Sequence, residues 1–433
     1  MRISVIGCGY LGAVHAAAMA KLGHDVVGID TDAGKIDKLS RGVVPFFEPG
    51  LPELLVEGLQ SGRLRFSTEV ADAADAAVHF VAVGTPQLRD GDAADLSYVR
   101  AAIDALVPVL ADDALIVGKS TVPVGTAAEL IDRLRTAGSR AALAWNPEFL
   151  REGFAVADTL TPDRLVYGVA EEESAAILDE VYAEALAAGT PRIVTDLPTA
   201  ELVKTAANAF LATKISFINA MAEIAEVTGA DVTTLADAIG HDARIGRRFL
   251  NAGIGFGGGC LPKDIRAFTA RAEELGRAES VAFLRQVDAI NLRRRERVVE
   301  LAIEMLGGSV FERRIAVLGL TFKPDSDDIR DSPALEVAAR LHGLGANVVA
   351  TDPHGIPNSR SMYPQLEYAT DAGVALERAD LAVLVTEWRE YRDLDPERVS
   401  ELMAHARIID GRNVLDVAAW RRAGFEYHGL GRS

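Results

Sequence analysis

The sequence predicts an α/β protein: two doubly wound domains of parallel sheet joined by a helical domain with a long central helix. Three observations carry this prediction. Short β-branched runs alternate with alanine- and leucine-rich stretches as far as Leu197. From Pro198 to about Gly229 the chain then holds helical spacing with no internal proline or glycine, and from Arg314 the alternation resumes. A length of 433 residues suits two or three domains of ~150 residues each, placed here at 1–198, 199–305 and 306–433.

The first half supplies candidate strands at Ile3–Ile6, Val26–Ile29, Val78–Val83, Leu115–Val117, Ala141–Ala144 and Leu165–Val169. Helical segments such as Gly12–Leu22 and Ala127–Thr136 separate them. Near-continuous apolar strands between helices indicate a parallel sheet covered on both faces. Pro198 and Thr199 suit a helix start, with Glu201 in the first turn where the helix dipole favours a carboxylate. The helix that follows is apolar over so much of its circumference that it should be buried on several sides, against neighbouring domains and a second subunit. Further helix is expected at Thr233–Ala238, Ile265–Glu274 and Val281–Met305. Strands then return at Ile315–Leu318, Val348–Ala350, Leu381–Val385 and Ile408–Ile409, with Ala334–Leu344 as a crossover helix. The two α/β ends form a coarse duplication.

Composition narrows the function. Hydrophobic residues at 49% and charged residues at 25% describe a globular chain. The formal charge of −18, from 45 basic and 63 acidic residues, argues against a surface that grips nucleic acid or an anionic membrane. Two cysteines, Cys8 and Cys260, exclude a disulfide framework and point to a reducing compartment. No apolar run approaches the ~20 residues of a membrane span, and the opening MRISVIGCGYLG lacks the pattern of a signal peptide. A cytoplasmic protein is expected. The eight histidines are scattered, without the spacing of metal ligands.

Gly7-Cys8-Gly9-Tyr10-Leu11-Gly12 is G-x-G-x-x-G, directly after a strand and opening a helix. The first glycine makes a tight turn, the second admits a pyrophosphate to the backbone, and the third lets helix and strand pack. The helix start adds the positive end of its dipole. A second strand ends in Asp30, 18 residues beyond Gly12, where a carboxylate accepts from an adenosine ribose and repels a 2′-phosphate. This is a Rossmann-like site for NAD rather than NADP, with Lys35 within reach of the ribose or phosphate. Thr85 and Thr121 lie at later strand ends of the same sheet edge, either touching the cofactor or serving as turn formers.

The densest chemistry lies between Arg244 and Asp264. Five glycines occupy seven positions from Gly253 to Gly259, as expected of a backbone that wraps closely around a ligand. Cys260 follows, and Pro262 suits the first turn of a helix. A thiol at a helix N-terminus beside Lys263 should have a depressed pKa and so serve as a covalent nucleophile. Asp264 lies one helical turn on, placed to work with a water or orient a neighbour.

These motifs, together with NPEFLREG at Asn146–Gly153, ELVKTAANAFLATKISFIN at Glu201–Asn219, GFGGGCLPKD at Gly255–Asp264 and GLTFKPDSDDIRDSP at Gly319–Pro333, resemble the UDP-glucose/GDP-mannose dehydrogenase family nearly end to end. The resemblance implies oxidation of the C6 alcohol of UDP-glucose to a carboxylate with two NAD, through a thiohemiacetal and a thioester on Cys260. It implies substrate binding by Lys204 and Asn208, with Lys204 also stabilising oxyanion character at C6. Glu148 would activate water held by Thr121, and Phe149, Leu150, Arg151 and Glu152 would contact substrate, Glu152 also NAD. Phe249, Leu250, Asn251, Ala252, Gly253 and Gly257 would wrap the UDP-sugar. Lys263 and Arg330 would contact the cofactor, Lys323 the substrate, and Arg244 the substrate of a neighbouring subunit in a homodimer. Relatives acting on GDP-mannose or a UDP-N-acetylhexosamine are the alternative. Thr205 stands where relatives often carry an aromatic, and Leu88–Ala94 departs slightly from the usual loop.

Overall fold

The computed structural model describes residues 1–432. They form two compact units, Met1–Ala207 with Ala270–Gly276, and Asn208–Thr269 with the chain from Arg277 onward.

The first unit is built on an eight-stranded sheet. Its strands are β1 (Arg2–Ile6), β2 (Asp25–Ile29), β3 (Leu64–Ser67), β4 (Val78–Val81), β5 (Leu115–Gly118), β6 (Ala142–Trp145), β7 (Leu165–Gly168) and β8 (Arg192–Thr195). The order is β3-β2-β1-β4-β5-β6-β7-β8. β4 and β5 are buried along their whole length, which is why they read as unbroken apolar runs. The sheet departs from the all-parallel expectation at one junction. β6 and β7 meet antiparallel through Trp145 and Gly168, so β7 and β8 run opposite to the rest. The sequence reading missed β3 and β8. Both are edge strands, and β8 exposes most of its length, so neither shows a buried apolar run.

The helix Tyr10–Lys21 packs its alanines against this sheet, with Gly12 through Ala20 all buried. Thr126–Thr136 is headed by an unexpected partner. Glu201, buried on the long helix, accepts from the backbone N–H of Gly125 at 2.7 Å and of Ala127 at 2.6 Å. It thus caps a neighbouring helix, where the sequence pointed only to its own helix dipole.

The long helix runs Leu197–Thr228. Its lower part, within the second unit, is not buried on every side. Phe210, Phe217, Ile224 and Val227 are exposed at 67%, 49%, 57% and 81%, and their spacing puts them along one stripe. The second unit also holds the helices Val232–Gly240 and Phe283–Met305 and a six-stranded sheet. Its strands are β9 (Arg314–Leu318), β10 (Asn347–Thr351), β11 (Glu367–Tyr368), β12 (Leu381–Leu384), β13 (Arg407–Asp410) and β14 (Glu426–Gly429). All pair in parallel, in the order β11-β10-β9-β12-β13-β14. Ile315 and Val317 enter one core layer while Ala316 and Leu318 enter the other, so this sheet too is covered on both faces.

The two sheets share more than strand order. Gly7 and Gly319 both follow the first strand with positive φ, +92° and +114°, and donate to the last residue of the second strand, Ile29 and Thr351, at 2.7 and 2.9 Å. One residue beyond that strand stands a carboxylate, Asp30 or Asp352. Each accepts from the second residue past the first strand: Cys8 N–H to Asp30 at 2.8 Å, and Leu320 N–H to Asp352 at 2.7 Å. Asp352 is buried and takes five further donors, from Thr321 N–H and hydroxyl, His354 N–H, Gly355 N–H and the Trp388 indole.

Candidate active site

The β1 turn is closed so tightly that side chains are barred. A Cβ on Gly12 would lie 1.7 Å from the Gly7 carbonyl oxygen, and one on Gly7 would lie 2.8 Å from Val83. Gly9, by contrast, has nothing within 4 Å of its Cβ position, leaving an open approach to the head of the helix. There the first N–H groups lack helical acceptors. Asp30 faces this turn. Burial opposes its charge, but the Lys35 ammonium at 2.8 Å and the N–H groups of Asp32 and Cys8 outweigh it and hold the carboxyl below its usual range. Leu11 packs into the core beneath. The Tyr10 hydroxyl hydrogen-bonds to Glu48, which also accepts from Gly153 N–H at 2.6 Å and Ala155 N–H at 2.7 Å. Glu48 carries no motif signal in the sequence, yet it ties the β1 turn to the Asn146–Gly153 loop.

Farther along the same sheet edge, Thr85 is buried and donates to the Thr121 carbonyl at 2.8 Å, joining two strand-end loops. Glu148 and Lys204 form an ion pair at 2.9 Å with side chains only 13% and 6% exposed. The second Glu148 oxygen accepts from Leu150 N–H at 2.6 Å. Phe149 lies under the pair, 5.7 Å from Lys204 Nζ and 3.7 Å from the Arg164 guanidinium. Arg151 points elsewhere, pairing with Asp158 at 2.6 Å. The pair offers a carboxylate oxygen that can accept a proton and an ammonium that can stabilise a negative oxygen.

In the second unit, Cys260 is exposed and sits directly before the helix Leu261–Glu274, its carbonyl accepting from Asp264 N–H at 3.0 Å. Asp264 is buried and gripped from two sides, by the Asn208 amide at 2.7 Å and the Lys263 ammonium at 2.5 Å. Lys263, expected to act on the thiol, is thus drawn toward Asp264. Another cation stands beside the cysteine: a Cβ on Gly259 would fall 2.3 Å from the Arg330 guanidinium carbon. The glycine run has a partly different cause from the one its composition indicated. Cβ atoms on Gly255, Gly257 and Gly258 would strike Asn291 at 2.3 Å, the Asp331 carbonyl at 2.2 Å and the Phe322 ring at 2.9 Å. The close approach is made to the chain itself. This packing seats the segment Phe322-Lys323 against the cradle, with Lys323 Nζ 5.4 Å from the Phe322 ring.

Upstream, Leu250 and Ala252 are buried, Gly253 N–H donates to Asn219 at 2.9 Å, and Asn251 receives Arg247 at 2.8 Å. Phe249 is partly exposed and takes a positive φ of 65°. Arg244 stands apart from these residues, 89% exposed and paired only with the nearby Asp242 among the contacts described.

The chain has relatives along its whole length. It matches the UDP-glucose/GDP-mannose dehydrogenase family in three parts: the NAD binding domain at residues 1–186, the central domain at 198–293 and the UDP binding domain at 316–417. The chain belongs to the UDP-glucose/GDP-mannose dehydrogenase family. A UDP-glucose 6-dehydrogenase of Rhizobium meliloti is 42% identical, with all of both chains covered. A UDP-glucose 6-dehydrogenase of Bacillus subtilis is also 42% identical over all of this chain and 93% of its own. Among solved structures, a UDP-glucose dehydrogenase from Pyrobaculum islandicum superposes with a TM-score of 0.92 at 38% identity, covering 100% of this chain and 98% of that one.

As a family member the chain is an NAD-dependent oxidoreductase, and the β1 turn fits that cofactor. Gly9 leaves the helix head open to a pyrophosphate, and the ionised Asp30 presents a ribose acceptor. Among the described residues no group of three or more histidine, cysteine or acidic side chains is placed to hold a metal ion.

Asn291 and Arg412 carry no motif signal in the sequence. Asn291 is wholly buried and exchanges two hydrogen bonds with Phe256, at 2.8 and 2.9 Å. Arg412 donates to the carbonyls of Gly255 and Phe322, at 3.0 and 2.9 Å, and so staples the cradle to the Phe322 loop. Lys119 and Asn146, each a polar residue at the end of an apolar strand and the second the start of the Asn146–Gly153 block, line one cavity with Glu148.

Proposed function

We propose that the protein oxidises UDP-glucose to UDP-glucuronate, consuming two NAD and one water, and that Cys260 holds the sugar covalently between the two oxidations. The observation that carries this reading is the exposed thiol of Cys260 at a helix head, flanked by a glycine-packed cradle and a guanidinium. Full-length relatives 42% identical that are UDP-glucose 6-dehydrogenases support the choice of sugar.

Gly7, Gly9, Gly12, Asp30 and Lys35 would hold NAD, with the backbone of Tyr10 and Leu11 at the phosphates and Thr85, Thr121, Glu152, Lys263 and Arg330 as further contacts. When bound, NAD takes up the hydride lost from C6 in each oxidation. The chain's own residues do the rest. After the first oxidation the Cys260 sulfur adds to the aldehyde carbon, and the carbonyl oxygen takes a proton, giving a thiohemiacetal. Lys204 steadies the negative charge on that oxygen, and Asn208 and Asp264 fix the surroundings of the thiol. The second oxidation leaves a thioester. Water held by Thr121 gives a proton to Glu148 and attacks the thioester carbon; the C–S bond breaks, the thiolate leaves and the acid is released. Covalent capture explains why a hydride-transfer enzyme carries a nucleophilic thiol at all: the aldehyde never escapes. Residues 306–433, with Lys323, together with Phe249–Gly253 and Gly257, would bind the UDP-sugar.

A homodimer is part of the same proposal. The stripe Phe210, Phe217, Ile224 and Val227 is the apolar face a second copy would cover, and Arg244, extended into solvent, would reach the partner's substrate. A cytoplasmic setting is supported by the absence of a disulfide framework; among the described residues no helix is long and apolar enough to cross a membrane.

The deciding experiment counts NADH formed per UDP-glucose consumed, with GDP-mannose and UDP-N-acetylhexosamines run alongside. Two NADH and a uronate from UDP-glucose are expected. One NADH per sugar, or turnover of another nucleotide sugar alone, overturns the reading.

A further inference from the structure

Lys119 is a buried ammonium that none of the steps above employs. It stands one residue past β5, 6% exposed, between the rings of Phe80 and Tyr182 at 5.7 and 5.8 Å. Its contacts converge on one residue. Nζ donates to the Asn146 side-chain oxygen at 2.9 Å, approaches the Asn146 carbonyl at 3.4 Å, and meets the Tyr182 hydroxyl at 3.2 Å, which itself donates to Asn146 at 2.6 Å. Asn146 also donates its amide to Val166 at 2.9 Å and its backbone N–H to Gly118 at 2.8 Å. Two residues later comes Glu148.

A lysine is an expensive way to hold an asparagine. Desolvating an ammonium with no carboxylate in contact is strongly unfavourable, and burial pushes Lys119 down to about 8, with Glu148 opposing the fall and Lys204 adding to it. A neutral side chain of similar length would fill the space at less cost. What a neutral side chain would lack is the charge. Lys119 and Glu148 line the same cavity of about 40 Å³, with His15, Asn146, Tyr182 and Arg164 also on its wall. His15 is held neutral there by burial, and burial likewise keeps Tyr182 protonated.

We propose that Lys119 is a positioning residue for Glu148: by anchoring Asn146 it fixes the turn Asn146–Phe149 and so sets where the Glu148 carboxylate stands against Lys204. This rests on the reading of Glu148 as the base that activates water. The role differs from general support of the sheet because it acts on one step, thioester hydrolysis, in which a misplacement of ~1 Å can cost about a hundredfold.

The test is a double-mutant cycle on the full-length enzyme with Lys119→Met and Glu148→Gln, followed by steady-state rates and by intact-mass analysis during turnover. Lys119→Met should lower kcat about tenfold to a hundredfold, with KM for UDP-glucose and the affinity for NAD unchanged, and should lengthen the life of the acylated Cys260. In the Glu148→Gln background it should cause no further loss. Equal losses in both backgrounds, or wild-type kcat in Lys119→Met, overturn the proposal. If Glu148→Gln alone keeps wild-type turnover, the assignment of Glu148 falls and the role of Lys119 with it. Should Lys119→Met fail to fold, the cycle is run with Tyr182→Phe, which removes the other donor to the Asn146 side-chain oxygen; a smaller loss confined to the Glu148-containing enzyme is expected, and no coupling overturns the proposal.

Discussion

Three donors meet on the Asp30 carboxylate, fewer than its two oxygens can accept. Removing it takes away a charged acceptor, an interaction of about 1.5–3 kcal/mol. Asp30→Ala should therefore weaken NAD binding about tenfold to a hundredfold and narrow the gap between NAD and NADP. Titration with both cofactors measures this, and an unchanged preference would remove the assignment. Cys260→Ala should abolish net formation of the uronate, and Cys260→Ser should turn over very slowly or stall as a covalent adduct, both visible by product analysis. Lys119 makes a prediction about stability. From about 8 up to the ordinary lysine value of about 10.4, the unfolded chain holds this proton more firmly than the folded one. Stability therefore gains a contribution that grows as pH rises through that window. Denaturant melts between pH 7 and 10 should show this rise in the wild type and its loss in Lys119→Met; parallel curves would contradict it.

At the scale of elements, capping crosses between helices that are distant in sequence. Glu201 serves the N–H groups of Gly125 and Ala127 from the long helix. Glu201→Ala leaves one buried and one half-buried donor unpaired and should cost about 2–4 kcal/mol, with a fall in Tm of several degrees by calorimetry. Glu201→Gln, which keeps an acceptor oxygen, should lose less. Such pairings explain what the sequence revealed and what it hid. Central strands such as Val78–Val81 and Leu115–Gly118 were legible because burial on both faces forces them to be apolar throughout. Arg192–Thr195 was not, because an edge strand obeys no such rule. The reversal at Trp145 and Gly168 was equally hidden, since direction leaves no mark on composition. Within the candidate site, Gly7–Gly12, Glu148, Lys204 and Cys260 stood in recognisable motifs. Glu48, Asn291 and Arg412 did not, because their partners lie far away in the chain.

For the whole molecule, the exposed stripe along the long helix carries the prediction. Covering each large apolar side chain is worth about 1.5–3 kcal/mol, so one charge set into the stripe should weaken association severely. The wild type should sediment as a dimer and Phe217→Asp at the mass of a single chain, with a loss of activity if Arg244 serves the partner's site. A wild-type protein that is monomeric while fully active would refute both the dimer and the role of Arg244.

The doubled architecture has one further consequence, at Asp352. Its counterpart Asp30 is the proposed ribose acceptor, whereas Asp352 is walled in by a ring of six hydrogen bonds, one of them from an indole. Grafting a glycine-rich turn onto the second half would therefore not create another adenosine pocket, because the acidic group such a pocket depends on has been turned into a structural rivet. The two halves share strand order and turn geometry and differ in how the carboxylate after the second strand is enclosed.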